Sequence, residues 1–164
     1  MRVSAKADYA VRAALELAAA TDSKPLKREQ ISAAQNIPSK FLETIMLDLK
    51  HKGIVKSTRG AGGGYALARP AEDISVADVI RAVDGPLADV RGERVETVEY
   101  RGAATELRDL WVAVRASLRR VLESTSLQDV VERDLPSAVR ELTADPEAWI
   151  SLNRRRRSPA NVEQ

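Results

Sequence analysis

A mainly α chain with one small β-hairpin, followed by a long amphipathic helix, is the fold class that the sequence predicts. Three observations carry the prediction. Two short stretches of helical periodicity, Leu26 to Ala34 and Ser39 to the residue before Gly53, stand either side of the turn Gln35-Asn36-Ile37-Pro38. Two strand-like runs, Ile54-Val55 and Tyr65-Ala66-Leu67, flank a glycine-rich segment. From Leu107 to Leu122 the apolar residues recur at spacings of 3, 1, 3, 4, 3 and 1, a continuous seam along one helix.

Taken in order, Ser4 is placed to cap a first helix running to about Ala20, with Ala7, Ala10, Val11, Ala14, Leu15 and Ala18 on its apolar face. Most of these are alanines, so a neighbouring element can approach closely. The turn Thr21 to Pro25 leads to the Leu26–Ala34 helix, with Leu26, Ile31 and Ala34 inward and Lys27 and Arg28 in its first turn. Pro38 prevents that helix from running on, and Ser39 is read as the cap of the next. There Leu42, Ile45, Met46 and Leu49 face inward, leaving Lys40, Glu43, Thr44, Leu47 and Lys50 outward. The hairpin beyond Gly53 carries Lys56, Arg59, Gly60, Gly62, Gly63 and Gly64 at its tip, cations on backbone that can come close to another backbone.

Ser75 with Asp78 has the spacing of a capping box, before a short amphipathic helix of Val76, Val79, Ile80 and Val83 that Gly85 and Pro86 stop. Residues 86–104 lack helical periodicity; Val95, Thr97 and Tyr100 permit a short strand there. The seam of Leu107, Leu110, Trp111, Val114, Leu118, Val121 and Leu122 is expected to lie on a helix from about Thr105 to Ser124. Ser126 caps a further helix to about Asp134 with Leu127, Val130 and Val131 inward. Pro136 and Pro146 interrupt the chain beyond that helix, and Trp149 is expected to pack back on the body. Arg154 to Arg157 precede a polar end, read as a solvated tail ahead of the alternative of an added DNA contact. The organisation expected is a reading region over 1–85, a loop over 86–104, a helical region over 105–150 and a basic tail over 151–164.

At 164 residues the chain suits one domain of ordinary size. No apolar run approaches the ~20 residues that cross a bilayer, and no signal-peptide pattern opens the chain, so the cytoplasm is the expected compartment. The absence of cysteine excludes disulfides, thiolate catalysis and thiolate metal sites. The net charge of +2 hides a division: residues 1–70 carry 12 Lys and Arg against 6 Asp and Glu, residues 71–150 carry 10 against 17. A basic first half beside an acidic second half suits a nucleic-acid reader joined to an assembly or sensor region. Enzymatic chemistry has little to use: the glycine run is not followed by Lys-Ser/Thr or a helix, as a P-loop requires, and His51 is the only histidine.

The opening MRVSAKADYAVRAALELA, the segment IPSKFLETIMLDLKHKGIVKSTRGAGGGYALARP and the segment ISVADVIRAVDGP resemble the Rrf2 family of bacterial transcription regulators. The resemblance is close over residues 1–86 and looser beyond Thr105. It implies a dimeric winged helix-turn-helix protein that binds double-stranded DNA, with the 107–122 seam as the dimerisation surface. Many members ligate an iron-sulfur cluster through three cysteines in the loop corresponding to 86–104, and some add a carboxylate at the position of Asp8. This chain supplies no thiolate, so no cofactor is expected and Asp8 is read as a surface or capping residue.

The residues expected at DNA derive from helix-turn-helix docking. Lys27 and Arg28 lie at the first helix, and Ser39, Lys40, Glu43 and Thr44 open the recognition helix, with Lys50 further along it. Glu43 is suited to accept from cytosine N4, against the plainer reading of a pair with Arg or Lys. Arg59 is expected in the minor groove, as the family motif implies, with Gly60, Gly62 and Gly63 closing on phosphate. The expected action is that of a homodimeric repressor on a pseudo-palindromic operator; the 86–104 loop is read either as the place of a small-molecule or partner-protein effector or as a lost sensor on a constitutive binder. The alternative is a winged-helix module that binds protein alone.

Overall fold

The computed structural model describes residues 3–20, 24–60 and 62–150. The Arg154–Arg157 run and part of the turn after the first helix lie outside the described residues. The chain runs α1 (Ala5–Ala19), α2 (Arg28–Gln35), α3 (Ser39–His51), β1 (Val55–Thr58), β2 (Gly64–Leu67), α4 (Val76–Asp84), β3 (Asp89–Val90), β4 (Glu93–Arg94), α5 (Leu107–Leu122), α6 (Leu127–Glu132) and α7 (Ser137–Ala144). Short 3-10 turns at Ala71–Asp73, Gly102–Ala104 and Pro146–Trp149 join them. Each β pair is an antiparallel two-stranded ribbon; β1 and β2 register Val55 with Leu67 and Thr58 with Gly64.

α1 is the axis of the packing. Ser4 caps it, its Oγ accepting from the Ala7 N–H at 2.9 Å. Ala7, Ala10, Ala13 and Ala14 are buried, which lets α2, α3, α4, α6 and β2 all pack on one helix. Around them the core is closed by Ile31, Ile37, Leu42, Ile45, Met46, Leu49, Ile54, Val55, Ile74, Val79 and Leu127. Removing one of these large side chains costs about 2–5 kcal/mol in lost burial and residual cavity. The sequence pattern marked this face with Val11, Leu15 and Ala18, which are half-buried; Ala13 and Leu17 take the inner positions instead.

The turn between α2 and α3 is fixed locally. Asn36 ends α2 in the left-handed region at φ 51°, where its short polar side chain costs little. The Ile37 N–H then donates to the Ser32 carbonyl at 3.0 Å and the Ser32 hydroxyl to the Ile37 carbonyl at 2.7 Å. Ser39 is not the cap that its type suggested. Pro38 holds the cap position and Ser39 is the first helical residue, because proline's fixed φ already sets the entry to the helix. Likewise α2 begins at Arg28, with Lys27 at its cap, and Leu26 pairs with Tyr65 in a β-bridge. Ala34, expected inward, is exposed: the buried contact of α2 narrows to Ile31, with Gln35 half-buried beyond it.

α4 and α6 begin alike. The Ser75 hydroxyl accepts from Asp78 N–H at 3.0 Å while Asp78 accepts from Ser75 N–H at 3.2 Å. Ser126 and Asp129 repeat the arrangement at 3.0 and 2.7 Å, a second box whose Asp129 member the sequence pattern had not singled out. Val76 N–H donates to the Thr125 carbonyl and Leu127 N–H to the Ile74 carbonyl, both at 2.9 Å, lashing the two helix starts together.

Three later expectations are corrected. The strand permitted over Val95–Tyr100 does not form: the ribbon is β3–β4 just before it, and Val95 and Val98 are buried as isolated anchors. α5 spans Leu107–Leu122, shorter than 105–124, because Gly102–Ala104 forms a 3-10 turn. Trp149 does not pack on the body but stands 75% exposed, its indole N–H donating to the Thr143 carbonyl at 2.8 Å.

Candidate nucleic-acid interface

The start of α2, the start of α3 and the tip-side half of the β1–β2 ribbon meet at one edge of the molecule. Leu26 N–H donates to the Tyr65 carbonyl at 2.9 Å and Tyr65 N–H to the Leu26 carbonyl at 2.8 Å, so the ribbon is stitched to the chain entering α2. Arg28 reaches Glu43 of α3 at 3.3 Å and Glu29 of its own helix at 3.4 Å. Lys27, Ser39, Lys40, Glu43 and Thr44 are exposed at the two helix starts, and Lys50 in the last turn of α3 and Lys56 and Arg59 of the ribbon are exposed as well.

Glu43 therefore has a partner in the free protein: the plainer reading of this carboxylate, a surface pair, describes what is seen. Such an exposed pair contributes about 0–1 kcal/mol. Its interest is positional, because Arg28 Nε is buried without a partner and Glu43 alone holds the guanidinium across the α2–α3 gap. Thr44 Oγ1 turns back to the Lys40 carbonyl at 3.4 Å. Phe41 and Leu47 stand 56% and 60% exposed on α3, Phe41 against the edge of the Tyr9 ring at 6.2 Å between centroids. The outward place of Leu47 was legible from its position off the buried stripe. Phe41, next to buried Leu42, was overlooked, although one helical step of about 100° is enough to carry it off that stripe.

The glycines of the ribbon tip divide into two kinds. A Cβ on Gly63 would lie 2.2 Å from the Thr58 carbonyl oxygen, and one on Gly64 would lie 2.5 Å from that of Leu26. These two are required by the protein's own backbone. Gly60, at φ 103°, and Gly62 have open space where a Cβ would stand, so they face outward beside Arg59.

The 107–122 seam is incompletely covered. No residue of α5 is buried, Leu110 is 53% exposed, and Leu107, Trp111, Val114, Leu118, Val121 and Leu122 are half-covered. Trp111 Nε1 donates to the Tyr100 hydroxyl at 3.1 Å. An apolar cleft of about 260 Å³ between Val3, Ala7, Ile80, Leu87, Leu118 and Leu122 continues the same surface.

Beside it two shared carboxylates tie the 86–104 loop and α4 to α5. Glu96 is held by Arg94 at 2.8 Å and by Arg115, and Glu123 by Arg119 at 2.9 Å and by Arg81. Glu96 is lowered from the ordinary carboxylate value of 4.5, first by hydrogen bonding from its own backbone and then by Arg115. Glu123 is lowered by hydrogen bonds from Arg119 and then Arg81, and Arg119 is raised by the same bond to Glu123. Among the described residues no three His, Cys, Asp or Glu are grouped to hold a metal ion. Asp8 is paired with Arg12 at 3.1 Å. An iron-sulfur cluster needs thiolates, and a cysteine-free chain whose loop carboxylate is already held by arginines does not fit one. No helix among the described residues is long and apolar enough to cross a membrane.

Comparison with known proteins agrees with this geometry. A sequence model of the family Rrf2, described as iron-dependent transcriptional regulator, matches residues 3–133. A protein of Mycobacterium tuberculosis (strain H37Rv) named as an HTH-type transcriptional regulator is 49% identical over 145 residues, 88% of this chain and 90% of that one. CymR of Bacillus subtilis (strain 168), also an HTH-type transcriptional regulator, is 34% identical over 130 residues, 79% of this chain and 89% of its own. The solved structure of CymR superposes with a TM-score of 0.69 at 32% identity, covering 81% of this chain and 98% of that one. That of T. potens IscR gives 0.65 at 30%, covering 92% and 93%.

Proposed function

Because the chain belongs to the Rrf2 family, transcriptional regulators with a DNA-binding winged helix and not enzymes, we propose that it acts as a homodimeric repressor on a pseudo-palindromic operator, without an iron-sulfur cluster. The observation that carries this reading is the edge where α2, α3 and the ribbon meet, with Lys27 and Lys40 exposed at the helix starts and Lys50, Lys56 and Arg59 exposed further along α3 and the ribbon. Cations so placed release counterions from phosphate on binding, while Ser39, Lys40, Glu43 and Thr44 at the start of α3 reach base edges. Arg59, flanked by outward Gly60 and Gly62, enters the minor groove.

Two copies are needed because one such edge spans a single half-site. The half-covered seam of α5 supports pairing there: an apolar stripe with Leu110 as its most exposed member stays wet unless a second copy covers it. Two-fold pairing sets half-sites about 34–36 Å, or a multiple, apart. Occupancy then excludes polymerase from overlapping sequence, in the cytoplasm where the chromosome lies. CymR, described as the global cysteine regulator of B. subtilis, favours control by a metabolite or partner protein, and the 86–104 loop is the region we assign to that signal. The regions 1–85, 86–104 and 105–150 are thus reader, receiver and clasp.

The test is selection of genomic fragments by the purified protein, followed by titration of the selected duplex at several salt concentrations and by sedimentation. Saturable, steeply salt-dependent binding by a dimer is expected, unaltered by iron-sulfur reconstitution. A monomer, or affinity without salt dependence, overturns the reading in favour of a module that binds protein.

A further inference from the structure

A cleft of about 490 Å³ opens between the end of α4, the 86–104 loop and α5, lined by Arg81, Arg94, Arg115 and Arg119 with Glu96, Pro86, Leu87 and Ala88. Its size is within the range that takes a small metabolite. Four guanidiniums are served by two carboxylates, each shared between a pair: Glu96 between Arg94 and Arg115, Glu123 between Arg81 and Arg119. Within these two clusters the arginines outnumber the carboxylates by two, and of the four only Arg81 also faces the neighbouring acidic depression. Only one or two of the five N–H groups on each arginine are engaged by these carboxylates, and the remainder are free to take a second acceptor. The side chains of Arg115 and Arg81 are the least exposed of the four, at 25% and 36%, so a charge placed on them is screened less than at an open surface.

The opposite wall settles which side is positive. Beyond Arg81 and Glu123 lies a separate depression lined by Glu72, Asp73, Asp78 and Asp129, which repels anions. An anion therefore reaches the arginines from the loop side, where Pro86, Leu87 and Ala88 offer a short hydrocarbon surface. Pro86 and Leu87 also line the apolar cleft that continues the α5 seam, so an occupant here adjoins the assembly surface.

We propose that this cleft binds a small organic dianion, two carboxylate or phosphate groups on a short hydrocarbon body, one at each arginine pair. The inference rests on the effector role given above to the 86–104 loop and names the chemistry that the loop receives. Planar carboxylates match the arginine fork through paired N–H donors.

The test uses the full chain as the dimer, titrated calorimetrically with succinate, with inorganic phosphate and with acetate, alongside duplex binding by the same preparation. Saturable binding of succinate, at least about tenfold tighter than acetate, is expected; phosphate matching succinate would show that charge alone is read and would overturn the hydrocarbon requirement. Arg115→Gln should weaken succinate about tenfold or more, whereas Glu96→Gln, which removes the competing carboxylate, should tighten it. A purely structural loop clamp would make both variants weaker or neither. Arg120→Gln, at an exposed arginine of α5 outside the cleft, should change nothing. Absence of saturable binding up to about 10 mM, with duplex binding intact, overturns this inference alone; loss of duplex binding in wild type overturns the functional reading instead.

Discussion

Replacing Gly64 with alanine separates the two tasks that the glycine run could perform, fitting the protein's own backbone or approaching DNA. The new Cβ would stand 2.5 Å from the Leu26 carbonyl oxygen and 2.7 Å from its carbon, both under the 3.0 Å that real Cβ atoms essentially never show, so the two segments must part. Parting them stretches the paired Leu26–Tyr65 bonds of 2.9 and 2.8 Å, each worth about 0.5–1.5 kcal/mol. The expected loss is about 1–3 kcal/mol, which for a domain of this size lowers the melting temperature by about 2–12 °C. Gly62→Ala is the counterpart, because nothing lies within 4 Å of its Cβ. It should leave stability unchanged or gain a few tenths of a kcal/mol, yet weaken operator binding. Melting by circular dichroism and duplex titration by anisotropy check both. A Gly64→Ala protein that melts within about 1 °C of wild type, or a Gly62→Ala protein that melts as early as Gly64→Ala, refutes the division.

Arg59→Ala should weaken duplex binding by about 1–3 kcal/mol and reduce the salt slope by about one, with melting unchanged; equal affinity at all salts would remove the wing from the interface. Glu43→Gln, which releases Arg28, should relax preference at one base position by about 1–3 kcal/mol when a library of single-base operator variants is titrated; an unaltered profile leaves Glu43 a surface pair only. Leu110→Asp places a carboxylate in the α5 seam and should shift the sedimenting species from dimer to monomer at micromolar concentration; an intact dimer puts the interface elsewhere. Glu96 and Glu123 are depressed below 4.5, so their pairs contribute full stability above that pH and lose it as the pH falls through the folded values. The double variant Glu96→Gln, Glu123→Gln should accordingly show a flatter loss of stability below about pH 4.5 than wild type, and superimposable acid limbs would discount the two clamps.

The helical pattern of α3 and α4 was legible because it is local. The stripe Leu42, Ile45, Met46 and Leu49 is fully buried, and the capping box of Ser75 is formed as its spacing indicates. What escaped depended on other parts of the chain. Leu26 has the composition of a helix residue but is drawn into a bridge with Tyr65, and the glycines at 63 and 64 answer to carbonyls of Thr58 and Leu26. Ser39 lost the cap to Pro38, where ring geometry outweighs side-chain preference. Glu43 was recognisable as exposed, yet only three dimensions bring Arg28 to it. The arginine-lined cleft was the least legible of all, since Arg81, Arg94, Arg115 and Arg119 come from α4, the loop and α5, with no shared spacing to announce them.

The alanines of α1 have a mechanical corollary. Alanine carries no χ torsion, so the buried seam of Ala7, Ala10, Ala13 and Ala14 has no alternative rotamers into which strain can leak. Since α3 and α4 both rest on α1, enlarging any of the four to valine pushes whole helices apart rather than turning a side chain aside, at a cost of about 1–3 kcal/mol.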